Sequence, residues 1–282
     1  MNCLIVEGVG FKTGFTSGVL DAFQMMNYRP FDLYLGVSGG SIATSYFLSK
    51  QYRQCITAIK LLAKDKEFTQ FTRTFGEEGY MDIDFLKRVA EEKTPLNLPA
   101  ALAALKAVQV YFVATIRANG QPAYLIPDEA TWLDILIASS TLPFVTKGRH
   151  HIKGVEYFDG GWSDPIPARW AYQKGARRIL VVRTAPAERK TKQSLADYFG
   201  SLFYRDNQHL SNTFAQSHIL YNDSVEFLLD PPKDVVVEQI APIKELKSTT
   251  YTYTPKSIMS DYRYGLDVGL RYLYERKLKG EV

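Results

Sequence analysis

Cysteine and histidine are scarce in this chain: two cysteines, Cys3 and Cys55, and four histidines in 282 residues. The cysteines have neither metal-ligand nor redox spacing, so no metal is expected, and reduced thiols in a cytosolic protein are the simple reading. Long hydrophobic runs are also missing, because Lys, Arg, Asp or Gln recurs inside every apolar segment, and no membrane span is expected. The N-terminus, MNCLIVEGVG, has no positive leading region and only a short apolar run before Glu7. Neither a signal peptide nor an anchor is therefore expected. Charge of one sign is not massed anywhere: 34 Lys and Arg against 30 Asp and Glu leave +4, spread along the chain. With no nucleic-acid motif present, a polynucleotide partner is not expected. Repeats, low-complexity tracts and dividing linkers are absent, so one domain over 1–282 is expected, its helical part from about residue 190 being the less diagnostic. These absences leave a soluble, cytoplasmic globular protein, free to work peripherally at the inner face of a membrane.

What the sequence does contain centres on residues 32–41, DLYLGVSGGS. An apolar run of strand character breaks into Gly36-Val37-Ser38-Gly39-Gly40 and continues into a helix. This is G-x-S-x-G in the setting where it has mechanical meaning, a serine on a tight strand-to-helix turn. The helix that follows aims backbone N–H groups and the positive end of its dipole at the same place, which suits a developing oxyanion.

Residues 3–6 predict an earlier strand, which enters the loop Glu7-Gly8-Val9-Gly10-Phe11-Lys12 and then a helix over 17–26. Strand, helix and strand make a βαβ unit, hence a parallel sheet covered on both faces. Both glycine loops then lie at the carboxyl edge of that sheet, where open α/β sheets bind ligands. Further on, helices are expected over 51–64, 82–93 and 99–106, a strand over 108–116 with a partner at 124–126, and a helix leading into 139–144. A hairpin over 151–158 ends in Asp159-Gly160-Gly161. Beyond it come a helix over 167–174, strands at 179–182 and 235–240, mostly helix over 193–229, and a final helix over 258–277. The aromatic segment 68–75 has no clear period and reads as connection or cap.

A serine nucleophile needs a base and oxyanion donors. Candidate bases are Asp159, Asp164, His150, His151, His209 and His218. Asp159 stands at a strand end before two glycines, a setting no other acid of the second half shares. A Ser-His-Asp triad in hydrolase order would call on His209 or His218, which both fall in helical sequence. The loop Gly8-Val9-Gly10 also resembles a dinucleotide fingerprint, but Thr13 stands where the third glycine belongs, and no cofactor is expected. It makes better sense as an oxyanion cradle of Val9 and Gly10 N–H groups, joined by Gly39, with Lys12 adding positive charge.

Glu7-Gly8-x-Gly10-x-Lys12, Thr16-x-Gly18-Val19-Leu20-Asp21, Gly36-x-Ser38-x-Gly40 and Asp159-Gly160-Gly161 together resemble the patatin-like phospholipases, in particular the bacterial ones. The stretches 132–143 and 157–167 are similar as well, and the likeness runs from about residue 4 to 184. It implies an α/β fold, a three-layer α/β/α sandwich with a mostly parallel central sheet. It also implies an acyl hydrolase with a Ser-Asp dyad: Ser38 as nucleophile, Asp159 as base, Gly8 to Lys12 as oxyanion loop, and an acyl ester or phospholipid as substrate. The family usually has glycine at the positions of Val9 and Thr13 and arginine at that of Lys12. Valine disfavours positive φ, and on this ground a weak or inactive lipid-binding protein on the same fold is the competing expectation. Residues between Phe68 and Leu105, with Phe144, are candidates for the wall or lid of an acyl groove, and the final helix with Arg263, Arg271, Arg276 and Lys277 for contact with anionic lipid.

Overall fold

The computed structural model of the chain describes residues 1–64, 83–142 and 150–281. Its strands are β1 (Asn2–Val6), β2 (Leu33–Val37), β3 (Gln109–Ile116), β4 (Pro122–Leu125), β5 (His150–Ile152), β6 (Val155–Asp159), β7 (Arg178–Val182) and β8 (Val236–Ile240). Its helices are α1 (Thr13–Met25), α2 (Gly39–Leu48), α3 (Gln54–Lys64), α4 (Ile83–Arg88), α5 (Leu98–Ala104), α6 (Trp132–Ser140), α7 (Ala168–Gln173), α8 (Leu195–Phe203), α9 (Gln208–Leu229) and α10 (Pro255–Leu278). The strands form one sheet in the order β5-β6-β3-β2-β1-β7-β8, with β4 also on β3. The run β3-β2-β1-β7-β8 is parallel, and β4, β5 and β6 join antiparallel.

Alternation along the central strands explains the layers, since successive side chains point to opposite faces. Leu4, Val6, Tyr34, Leu180 and Val182 face a core shared with α1, α2, α3 and α10. Cys3, Ile5, Leu33, Leu35, Ile179 and Val181 face the other layer, built with Ala168 and Ala171 of α7 and Val225, Phe227 and Leu228 of α9. The expected three-layer arrangement is therefore what forms. Both cysteines are buried and unpaired, Cys3 in the second of these cores and Cys55 in the first.

Several boundaries differ from the sequence pattern. α1 begins at Thr13, directly after a 3-10 turn at Gly10–Lys12, because Thr13, Gly14 and Phe15 are already buried against neighbours. The helix expected over 82–93 changes to a π-helical turn at Val89–Lys93. Helical sequence over 193–229 divides into α8 and α9, the second capped by Asn207 through its side chain and the Leu210 N–H at 3.1 Å. The stripe of α10 is a core face: Tyr262 and Leu273 are buried, and Arg276 pairs with Glu238 and Glu281 at 2.7 and 2.9 Å. The segment 68–75 and Phe144 lie outside the described residues. Among the described residues, no helix is long and apolar enough to cross a membrane.

Candidate active site

Strand register brings the site together. In the β2–β3 pairing Val37 stands opposite Val113, and in the β3–β6 pairing the next residue of β3, Ala114, stands opposite Asp159. One step past Val37 the chain reaches Ser38, level with Asp159 at the carboxyl edge of the parallel strands. Two residues 121 positions apart in the numbering thus meet.

Ser38 has left-handed backbone, φ 54° and ψ −130°, which costs a non-glycine residue of order 1–3 kcal/mol and persists only where surroundings enforce it. The enforcing group is Ser139, fully buried at the end of α6. Its hydroxyl accepts from the Ser38 N–H at 3.0 Å and donates to the Val113 carbonyl at 2.7 Å. Since that proton is committed, the 2.9 Å contact with Ser41 Oγ has Ser41 as donor.

Asp159 is 3% exposed and fixed through its backbone: its N–H donates to Thr141 O at 2.7 Å, and Thr115 Oγ1 donates to its carbonyl at 2.8 Å. Its carboxylate accepts from the Gly161 N–H at 2.7 Å, and the Ser38 hydroxyl lies close enough to favour its charged form. Burial pushes its pKa up to about 7 against the Ser38 hydroxyl and the Gly161 N–H, which pull it down. A base with that pKa is matched to proton transfer near neutral pH. The other candidate acid, Asp164, is raised to about 6 by burial but takes its hydrogen bond from Tyr124 at 2.5 Å.

The loop Gly8 to Lys12 lies against the serine turn. A methyl group at Gly8 would stand 1.9 Å from the Gly40 nitrogen, so the two backbones touch only because position 8 has no side chain. Val9 is extended at φ −135° and Thr13 right-handed at φ −54°; the positive φ of the loop, 48°, falls on Gly10. Neither Val9 nor Thr13 is therefore asked for left-handed backbone. Lys12 does carry its charge beside the site, but paired with Glu245 at 3.3 Å. Glu7 anchors the loop from below. Its carboxylate accepts from the Thr184 N–H at 2.6 Å and pairs with fully buried Arg183 at 3.2 Å.

Two cavities meet at Ser38. One, about 470 Å³, is lined mostly by apolar side chains including Ile59, Leu62, Leu96, Leu98 and Leu136, with Gly39 at its head. The other, about 420 Å³, is more polar and includes Gly8, Val9, Gly10, Lys12 and Asp159, with Arg189 and Tyr221 on its far side. His218 lines this second cavity too, whereas His209 is exposed on α9 and His150 and His151 are strand residues of β5. All of Gly8, Val9, Gly10, Lys12, Ser38, Gly39 and Asp159 are therefore neighbours in space. Ser139, Arg183 and Glu245 are additions that sequence reasoning missed. Nothing in their local patterns marks them, since each acts on a group more than a hundred positions away.

A family model described as patatin-like phospholipase matches residues 4–172. The chain belongs to the patatin-like phospholipase family. A second model, a domain of unknown function (DUF6363), matches residues 207–277, the stretch holding α9, β8 and most of α10. Among curated proteins, the uncharacterised protein YjjU of Escherichia coli is 30% identical over 272 residues, covering 96% of this chain and 76% of that protein. Among solved structures, VipD from Legionella pneumophila aligns over 97% of this chain and 67% of its own, at a TM-score of 0.48 and 12% identity. The patatin-like match spans β1 through α7 and so contains both glycine loops, Ser38 and Asp159.

Proposed function

We propose that the protein is a serine acyl hydrolase that cleaves lipid esters through Ser38 and Asp159. The observation that carries this reading is a strained, cavity-facing serine set level with a buried carboxylate whose pKa is raised to about 7. Asp159 accepts the Ser38 proton as Oγ attacks the ester carbonyl. The negative charge on the tetrahedral oxygen is met by N–H groups of Val9, Gly10 and Gly39. Collapse breaks the ester C–O bond; the proton on Asp159 goes to the departing alcohol, and an acyl-enzyme remains. Water then attacks it, giving one proton back to Asp159 and its oxygen to the acid. As the acyl bond breaks, Asp159 passes that proton to Ser38 Oγ, and both groups are restored.

The two cavities fit the two halves of such a substrate. The apolar one, within the usual size of ligand pockets, takes the acyl chain, and the polar one takes the alcohol, which in a phospholipid carries the head group. The same reading has the whole of 1–282 acting as one domain, in the cytoplasm. Its test is turnover of p-nitrophenyl esters of increasing chain length by wild type, Ser38→Ala and Asp159→Asn, together with labelling by an alkyl phosphonate. Wild type is expected to turn over and to be labelled at Ser38, and both variants to lose turnover. A folded wild type that neither hydrolyses any ester nor reacts with the phosphonate would favour a binding protein instead.

A further inference from the structure

α8 carries its apolar face outward. Leu195, Tyr198, Phe199, Leu202 and Phe203 repeat at the spacing of one helix face, yet Leu195 is 76%, Phe199 59% and Phe203 68% exposed. The residues it buries are Asp197 and Gly200. Asp197 accepts from Ser217 of α9 at 2.8 Å, and Gly200 rests on the Phe214 ring, so the helix is held rigidly from behind in this inverted orientation. A Ser194–Asp197 capping box fixes its start. A helix that presents leucine and aromatic side chains to solvent on a fixed base is not completing this molecule's core.

Its surroundings indicate what it meets. The strap leading into it, residues 188–194, is exposed throughout and carries Arg189, Lys190 and Lys192 against Glu188, while the exposed pair Arg205 and Asp206 follows the helix. Arg189 and Lys190 make solvent-exposed pairs, with Glu245 at 3.3 Å and Glu226 at 2.6 Å. Such pairs contribute little and are readily exchanged for a phosphate. Arg189 and Ser194 also line the polar cavity that reaches Ser38, so the strap forms part of its rim. A separate segment of that rim, holding Glu245 and Thr250, carries two more exposed apolar groups, Ile243 at 89% and Tyr251. Apolar side chains flanked by cations around the opening of a cavity are the composition of a surface that sits in a lipid headgroup layer.

We infer that the outward face of α8, with its basic strap and the Ile243–Tyr251 segment, docks the protein on a lipid surface bearing anionic head groups. The lipid would then enter the site from the polar rim. This rests on the lipid-ester reading for its purpose but not for its test. Flotation of the full-length Ser38→Ala protein is measured with vesicles of phosphatidylethanolamine and phosphatidylglycerol, and with vesicles of phosphatidylcholine alone. The protein is expected to float with the anionic vesicles and less with the neutral ones. Adding Leu195→Ser and Phe199→Ser should weaken that binding by about tenfold or more, with an unchanged circular dichroism melt. In the otherwise wild-type chain the same pair should lower turnover of vesicle phospholipid while leaving a soluble short-chain ester unaffected. Equal flotation with and without the pair overturns the inference. So does a dimer in sedimentation that the pair dissociates, since the face would then belong to a second copy of the chain. If wild type hydrolyses no ester but still floats through α8, the docking stands and the hydrolase reading falls.

Discussion

Two junctions in this molecule bring backbones closer than side chains would allow, and they use the closeness differently. At the carboxyl edge of the sheet Gly8 lies on Gly40, and a methyl at Gly40 would stand 2.0 Å from the Val6 carbonyl oxygen. Between α1 and α10, Gly18 lies on Tyr262, where a methyl would meet the carbonyl oxygen at 2.1 Å, and Gly265 lies on Phe15, where it would meet one at 2.0 Å. The second junction is sealed: Phe15 and Tyr262 are buried, and the Tyr262 hydroxyl donates to Asp21 at 2.9 Å. The first borders the cavities on either side of Ser38. Close packing with nothing beside it supplies cohesion, whereas close packing beside a cavity leaves N–H groups and a strained serine facing that cavity. The contrast predicts that equivalent substitutions report on different properties.

The largest effect belongs to Ser38→Ala, which should lower ester turnover by at least about 10⁴-fold with a nearly unchanged thermal melt. Residual activity near wild type would place the chemistry elsewhere. Asp159→Asn should follow at about 10²–10⁴-fold in kcat. Because Asp159 has a folded-state pKa of about 7, above the ordinary 3.8, its protonated form is the one folding favours. That stability is present at low pH and is lost as pH rises through about 7. The melting advantage of Asp159→Asn over wild type should therefore grow from about pH 4 to about pH 8, by up to a few kcal/mol. Wild-type kcat should rise over the same range with an apparent pKa near 7, and a flat profile would separate Asp159 from the rate.

The glycine pair tests the contrast itself. Gly8→Ala should reduce turnover by about 10²–10³-fold, as loss of an oxyanion donor does. Gly265→Ala should destabilise by about 1–3 kcal/mol in urea unfolding while kcat per folded molecule is retained. Equal loss of kcat in both would show that the α1–α10 junction also sets the geometry of the site. The smallest effect is that of Ser139→Ala, which removes the acceptor for the Ser38 N–H. A loss of about 1 kcal/mol in stability and about tenfold in kcat, with unchanged KM, is expected, and Ser139→Thr should restore part of it.

Much of the first half and of the candidate site is legible in local pattern. The run 3–6, the loop from Gly8 and the turn at Ser38 announce strand, loop and elbow because each uses glycine where a neighbouring backbone allows nothing larger. Asp159 is legible because its strand ends there. The Gly14–Gly18 and Gly265–Gly269 spacings, small residues one helical turn apart, went unread. Their meaning lies in the pairing of segments far apart along the chain. The same holds for α8, whose apolar spacing is plain and whose outward orientation follows from what Asp197 and Gly200 find on α9.

Sequence alone determined the parallel α/β class, the strand-loop-helix units and the positions of the candidate site residues, since these depend on periodicity and on glycine within a few positions. Tertiary structure decided which groups act on them. It placed Asp159 level with Ser38 through the register of β3, and buried the carboxylate until its pKa rose. It set Ser139 behind the serine, paired Lys12 with Glu245, and closed α10 onto α1. Each of these is a contact between distant positions, made when the sheet and its covering helices close on one another and burial makes hydrogen bonds and charges strong.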